Sequence, residues 1–333
     1  MPSSAGGSAV GRLPAPAELG LEATWGLREG DPLGATRTVL ARLGSGRKSE
    51  VYLAWDRARR STVAAKLLLP GDSIRRLQRE AQLLERLRHP LLVRGLDAEL
   101  DGPRPHLALE HIEGPSLRDL VRRGAVAPEV VAAIGHQMAT VLHYLASEGM
   151  VHLDVRPQNV LLAPHSGGRY LQTGRRPALA GARKAAGRSA QGGGHGAPVD
   201  ALPVAKLIDV GAVKPAGGPT KGAAGDVPEH DGPEAPVTPA AAIWILGSTL
   251  RRALGGGKRG DGSPLPVTGA RASGALEEVI TACLREAPSE RPSPEEVALA
   301  LEPLMELSAH RTDERRGRRR RRRWRWRWRW LHR

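Results

Sequence analysis

The chain has no phenylalanine, and its aromatic content is only 3%. It has one cysteine, Cys283, which excludes a disulfide framework and fits a reducing compartment. Without Phe, the core has to be built from Leu, Val, Ala and Ile, with small aliphatics where rings often sit. No apolar run reaches the roughly 18–20 residues that a membrane span requires. The opening "MPSSAGGSAVGRLPAPAELG" lacks the charged start and apolar centre of a signal peptide. These absences point to a cytoplasmic protein.

What is abundant is glycine (40), proline (27) and positive charge, a formal +15 over 333 residues. The charge is unevenly spread. The last 23 residues hold thirteen arginines against Asp313 and Glu314, so eleven of the fifteen net charges lie there. The body is a mildly basic globular chain, and the basicity is a property of the tail.

Residues 1–37 are rich in Gly, Pro, Ala and Ser and read as a disordered N-terminal segment. From Thr38 the pattern changes. "TVLARLGSGRKSEVYLAWD" reads as strand, glycine turn and strand, "STVAAKLLL" as a third strand, and "LLVRGLDAELDGPRPHLALEHI" as two more joined by a Gly-Pro turn. Between them, Ile74, Leu77, Ala81, Leu84 and Leu87 form a helical stripe ending at Pro90. Downstream, helices are expected at 116–123, 127–148, 239–254, 274–285 and 294–308. Residues 164–203, basic and glycine-rich, read as a disordered surface insertion joining two strands.

Several residues in this framework suit phosphate chemistry. "GSG" at 44–46 allows a backbone to approach phosphates closely, although alone it reads as a hairpin turn. Glu80 borders the buried stripe of its helix, beside Leu77 and Leu84; a carboxylate there needs a cation, and Lys66 of "VAAK" is the candidate. In "VHLDVRPQNVLL", Asp154 can accept a hydroxyl proton. Asn159 and, further on, Asp209 of "KLIDVG" offer hard oxygen ligands for Mg²⁺, and Arg156 can spread charge on a transferred phosphoryl group.

Taken in order, "GSGRKSEVYLAW", "VAAK", "REAQLLERLRHP", "LALEHIEGPSLRDLV", "HLDVRPQN" and "IDVG" resemble the motifs of the eukaryotic-type serine/threonine protein kinases found in high-GC bacteria. The resemblance implies an α+β, bilobal protein-kinase-like fold over 38–306: a small β-rich lobe at 38–111, a larger helical lobe at 112–306, and a basic Arg/Trp tail at 307–333. It implies ATP with Mg²⁺ or Mn²⁺, and transfer of the γ-phosphoryl group to protein Ser or Thr. Gly44, Gly46 and Val51 would cover the nucleotide. Ala64 and Leu161 would flank the adenine, Leu109 would be the gatekeeper, and the backbone of Glu110 and Ile112 would bond the adenine edge. Lys66, braced by Glu80, would hold phosphates. Asp154 would be the acid/base, Arg156 the phosphate contact, and Asn159 and Asp209 the metal ligands.

The chain also departs from the family. Ser49 stands for the third loop glycine, Leu153 for the Arg before the catalytic Asp, and Val210 for the Phe of "DFG". Without the cation that Leu153 replaces, a phosphorylated loop has no reader there. Arg291 is expected to pair with Glu229 or Glu234. Between Gly211 and Glu229 there is one hydroxyl, Thr220, and Gly222 stands at the expected substrate-binding position. Ala242 replaces an Asp that would bond the catalytic-loop backbone, which leaves buried N–H groups short of that partner.

An ATP-binding pseudokinase acting as scaffold or regulator is therefore the alternative reading, with a small-molecule kinase and a nucleic-acid binder as weaker ones. The tail alternates Trp324, Trp326, Trp328 and Trp330 with Arg325, Arg327 and Arg329 after six consecutive arginines. In an extended chain this separates indoles from guanidiniums, which suits an anionic membrane surface, RNA or DNA, or a solvated tail without a role.

Overall fold

The computed structural model describes residues 24–46, 48–163, 202–218, 237–255 and 270–309. The chain divides into two compact units, one comprising residues up to Arg88 with Val93–His111, the other His89–Leu92 with everything from Ile112.

The first unit is a six-stranded antiparallel sheet with one helix. Its strands are β1 (Pro32–Leu33), β2 (Arg37–Ser45), β3 (Ser49–Asp56), β4 (Ser61–Leu68), β5 (Gly95–Glu99) and β6 (His106–Glu110), in the order β1-β2-β3-β4-β6-β5. Helix α1 spans Ile74–Arg86. The period of two in β3 puts Glu50, Tyr52, Ala54 and Asp56 on one buried face, and Ser49, Val51, Leu53 and Trp55 on the other. The buried face continues through Val39, Val63, Ala65 and Leu67.

That apolar face needs a cover, and the chain before β2 supplies it. Leu27 and Leu33 are buried in the same cluster and Trp25 packs against it. The expectation of disorder through residue 37 is thus overturned for residues 24–37. The glycine turns at Gly30 and Gly34, both with positive φ, fold this segment back onto the sheet. Within α1 the buried set is Leu77, Glu80, Leu83 and Leu84; Ile74, expected on the apolar stripe, is exposed.

The second unit is mainly helical. It contains α2 (Leu117–Arg123), α3 (Pro128–Ser147), α4 (Pro239–Gly255), α5 (Ala270–Cys283) and α6 (Pro294–Ala309). Helix α2 opens with a capping box in which Ser116 and Asp119 satisfy each other's backbone N–H. Helix α3 is apolar on most sides, with Val131, Ile134, Met138, Leu142 and Leu145 all buried, and so runs through the core. A Cβ at Gly135 would lie 2.7 Å from Leu301 and 2.9 Å from Leu250, so the missing side chain lets α4 and α6 approach α3 closely.

Two short hairpin-like pairs join these helices: β7 (Met150–His152) with β10 (Val213–Pro215), and β8 (Val160–Ala163) with β9 (Val204–Leu207). Helix α5 begins four residues before the expected 274, and α6 takes the first three residues of the expected tail. Tyr52 is the sole aromatic among the largest fully buried side chains of the described residues. The insertion at 164–203, apart from Leu202 and Pro203, and the tail from residue 310 lie outside the described residues.

The register of β8 with β9 yields a prediction. Ala163 pairs directly with Val204, so the two strand ends meet as in a hairpin. Deleting residues 166–200 should leave a five-residue connection and a folded protein. Loop closure eases by ~0.6 kcal/mol per halving of loop length, so thermal unfolding should show an unchanged or slightly raised midpoint.

Candidate active site

The register of the first sheet aligns the expected nucleotide-side residues. Gly44 pairs with Val51, Val51 with Lys66, and Lys66 with Leu107. Ala64 pairs with Leu53 and with Leu109. Because directly opposed residues share a face, Gly44, Val51, Ala64, Lys66 and Leu109 all lie on the face opposite Tyr52 and Val63. Gly44 and Gly46 have no positive φ, and an added Cβ would meet nothing closer than the Ser49 carbonyl oxygen, 3.7 Å from Gly46. Among the described residues nothing requires glycine at these two positions, which leaves room for a ligand as the reason for it.

Lys66 on β4 and Glu80 on α1 form a buried ion pair. Nζ donates to Oε1 at 2.7 Å and to Oε2 at 2.9 Å, and the two residues are 7% and 2% exposed. Two ions out of water at that depth cost several kcal/mol each, and the bidentate contact offsets this. The carboxylate fixes the direction of the ammonium. Glu110 ends β6: its backbone N–H donates to the Arg94 carbonyl and its side chain accepts from the Arg94 N–H.

In the second unit the chemistry gathers around His152, which sequence reasoning did not place in the site. Its ring is fully buried, and burial holds its pKa down at about 4, so it is neutral. Nδ1 accepts from the Asp154 backbone N–H at 3.1 Å, so the ring proton sits on Nε2 and is donated to the Asp209 carbonyl oxygen at 3.1 Å. Asn159 Nδ2 donates to the Asp154 carbonyl at 3.0 Å and to its carboxylate Oδ2 at 2.9 Å, which leaves the amide Oδ1 as the side chain's acceptor. The Ile208 N–H donates to the Asn159 carbonyl at 2.8 Å, so Asp209 follows directly after the residue tied to Asn159. Asp209 adopts a left-handed conformation, φ 68°, with its Oδ1 accepting from the Gly211 N–H. For a non-glycine residue this costs on the order of 1–3 kcal/mol, strain typical of sites where position matters.

The Asp154 carboxylate also pairs with the Arg156 guanidinium through Nε. Arg156 Nη2 is buried without a hydrogen-bond partner, a donor suited to an incoming anion. Burial raises the pKa of Asp154 above the ordinary 3.8; Arg156 opposes the shift, and the negative charge of Asp209 adds to it. Leu161 pairs with Lys206 on β9, and Ile112 is nearly buried at the start of this unit. Among the described residues no group of three His, Cys, Asp or Glu side chains is placed to hold a metal by itself. Asn159 and Asp209 nonetheless present the hard oxygens that suit Mg²⁺, an ion that usually takes its remaining ligands from phosphates and water.

Ala242 is buried on α4, and the Leu153 N–H reaches the Ala212 carbonyl at a long 3.4 Å. Two turns further along the same helix, Thr249 Oγ1 donates to the Val155 carbonyl at 2.6 Å. The tie from this helix to the loop that carries Asp154 is thus made by Thr249, which the sequence analysis missed; a buried hydroxyl beside Ser248 in a largely apolar helix was the available signal. Leu153 and Val210 are both buried as apolar packing. Arg291 donates to the carbonyls of Arg285, Ala240 and Glu286. Its expected partners Glu229 and Glu234, together with Thr220 and Gly222, lie outside the described residues.

Residues 37–170 match the family model of the protein kinase domain. The chain is 34% identical over 149 residues to the serine/threonine-protein kinase PknB of Mycolicibacterium smegmatis, covering 41% of this chain and 24% of that protein. It is 32% identical over 139 residues to a probable serine/threonine-protein kinase of Clostridium perfringens, covering 40% of this chain and 20% of that one. The solved kinase domain of Mycobacterium tuberculosis PknI superposes with a TM-score of 0.54 at 24% identity, over 84% of this chain and 99% of that one. The fold is that of a protein kinase, and residues 37–170 are similar to the protein kinase domain. The chain spans a quarter or less of the length of these two sequence relatives, and the family match ends before Asp209.

The Lys66–Glu80 pair generates a prediction that needs no substrate. Lys66→Met should take from buried Glu80 its bidentate cation, destabilising the protein by up to ~3–5 kcal/mol in denaturant unfolding. The double variant with Glu80→Gln should recover most of that loss.

Proposed function

We propose that the chain is an ATP-dependent serine/threonine protein kinase acting in the cytoplasm. The observation that carries this reading is the pairing of two built constellations in one chain: the buried Lys66–Glu80 pair, and the Asp154–Asn159–Asp209 group tied together through His152. Asp154 accepts the proton of a protein Ser or Thr hydroxyl. That oxygen bonds to the γ-phosphorus as the bond from this phosphorus to the β,γ-bridging oxygen breaks, and ADP leaves. Lys66 holds the α- and β-phosphates in a direction set by Glu80. The Nη2 of Arg156 binds the transferring phosphoryl oxygens. Asn159 and Asp209 would hold Mg²⁺, which would supply positive charge to the phosphates.

The pseudokinase alternative drew support from Ala242. The Thr249 hydroxyl still ties α4 to the loop that carries Asp154, through the Val155 carbonyl, but it does not replace the acceptor that Ala242 lacks. Binding is tested by thermal unfolding with Mg·ATP: at 100 times its dissociation constant the nucleotide should stabilise the protein by ~2.7 kcal/mol. No shift at millimolar Mg·ATP would remove the basis for the proposal.

The raised pKa of Asp154 sets the pH dependence. The carboxylate must be ionised to accept a proton, so activity should fall as pH drops through a value above 3.8. Arg156 holds that value down, so Arg156→Gln should move the acid limb of the pH–rate profile upward as well as lower the rate. His152, with its pKa near 4, is neutral throughout the physiological range and should contribute no limb there.

The Arg/Trp tail supports a peripheral role at an anionic membrane surface, to which each basic residue contributes ~1 kcal/mol. Among the described residues no helix is long and apolar enough to cross a membrane. Full-length protein should pellet with anionic but not neutral vesicles and lose this on removal of residues 315–333. Equal pelleting of both forms would exclude the tail as an anchor, and a preference for RNA or DNA over vesicles would redirect the tail to nucleic acid.

A further inference from the structure

The segment Thr24–Leu27 precedes the part of the chain matched by the kinase family, yet it is bonded to the strands that carry the nucleotide-side residues. Its receptor is Glu50, a carboxylate only 1% exposed. Thr24 Oγ1 donates to Glu50 Oε1 at 2.6 Å, and the Trp25 N–H donates to Oε2 at 2.9 Å. The Tyr52 hydroxyl donates to Oε2 at 2.9 Å and itself accepts from the Leu27 N–H at 3.3 Å. The Arg42 guanidinium, 3.5 Å from Oε1, is 54% exposed and therefore weakly felt. The Trp25 indole N–H donates to the Leu68 carbonyl at 2.6 Å.

The placement of these bonds matters more than their number. Glu50 is the neighbour of Val51 on β3 and pairs with Ser45 at the end of β2, beside the glycine turn. Leu68 lies two residues beyond Lys66 on β4 and pairs with Ser49. The segment therefore fastens the glycine-bearing end of the β2–β3 hairpin to the lysine-bearing end of β4, from the face opposite Val51 and Lys66. A buried carboxylate that loses two of its donors must find water, and it can do so only by shifting the strand that carries it. Burial alone would raise the pKa of Glu50, but the hydrogen bonds from Thr24, Trp25 and Tyr52, with the Arg42 charge, hold it below its ordinary value. The docked segment thus stabilises the ionised form.

We propose that Thr24–Leu27 is a positioning strap for the nucleotide-covering hairpin, with Glu50 as its receptor and the Thr24 hydroxyl as its latch; the effect on nucleotide binding rests on the kinase reading above. Glu50 and Thr24 are positioning residues, acting through Gly44, Gly46 and Val51 and not on the nucleotide. Substituting Thr24→Val removes one donor to a charged acceptor while keeping the side-chain shape. Thr24→Ser restores the donor.

The test compares wild type, Thr24→Val and Thr24→Ser in the full chain by two measurements. Hydrogen exchange without nucleotide reads the hairpin amides 41–53 against those of β5 and β6. Steady-state kinetics read KM for Mg·ATP against kcat. Thr24→Val should speed hairpin exchange about tenfold with β5 and β6 unchanged, and should raise KM about tenfold with kcat unchanged. Thr24→Ser should return both to near wild type. Unchanged hairpin exchange in Thr24→Val, or equal acceleration across the whole sheet, would overturn the strap. Faster hairpin exchange with an unchanged KM would overturn its positioning role. Failure of the wild-type chain to bind Mg·ATP would overturn the kinase reading, while the exchange comparison, made without nucleotide, still decides whether the strap holds the hairpin.

Discussion

A single proton on His152 Nε2 organises the second unit. Burial keeps the ring neutral, and a neutral imidazole has one donor and one acceptor. The acceptor takes the Asp154 backbone and the donor takes the Asp209 backbone, so one ring fixes two carboxylate-bearing residues that are distant in sequence. A second proton on the ring would abolish the acceptor and leave the Asp154 N–H without that partner. The desolvation that depresses the histidine pKa therefore also keeps this arrangement intact at physiological pH. Asn159 completes it by bonding both the backbone and the side chain of Asp154.

The first unit follows a different logic. Its buried polar groups are charges and must be satisfied in place. Lys66 with Glu80 is one such group, Glu50 with its donors another. A third joins Arg37 to Asp56 and Asp97, with Arg59 bridging the same two aspartates and His106 accepting from the Arg37 guanidinium. Breaking any one of these leaves an uncompensated buried charge, which costs far more than the intact pair contributes. Each therefore fixes which strand and which helix meet, more than it adds to net stability. With Tyr52 the one aromatic fully buried in the sheet's apolar cluster among the described residues, these polar ties carry much of the positional specificity that further aromatic side chains would otherwise share.

Much of this was legible in the sequence. Lys66 and Glu80 could be paired because a carboxylate at the edge of an apolar helical stripe needs a cation, and the strand "VAAK" offered one. The register of the central strands follows from their period of two. Other parts were hidden for physical reasons. The strap and β1 lie in a Gly- and Pro-rich stretch with no periodicity, and only the exposed apolar face of the sheet calls for them. Ile74 is the first residue of its helix and stays exposed, while Leu83 joins Leu77 and Leu84 on the buried face. Thr249 is chemically unremarked in sequence; its importance appears only when α4 is seen to pass beside the Val155 carbonyl. The role of His152 depends on a tautomer, which no sequence pattern encodes.

The account stands or falls on phosphoryl transfer. Purified chain should be incubated with Mg²⁺ and ATP labelled at either the α- or the γ-phosphorus, together with a general protein acceptor. Acid hydrolysis of the acceptor then identifies the modified residue. The account predicts label from the γ-position alone, recovered as phosphoserine or phosphothreonine, and its loss in Asp154→Asn. Label that never leaves the nucleotide, in protein shown to bind Mg·ATP, would contradict it.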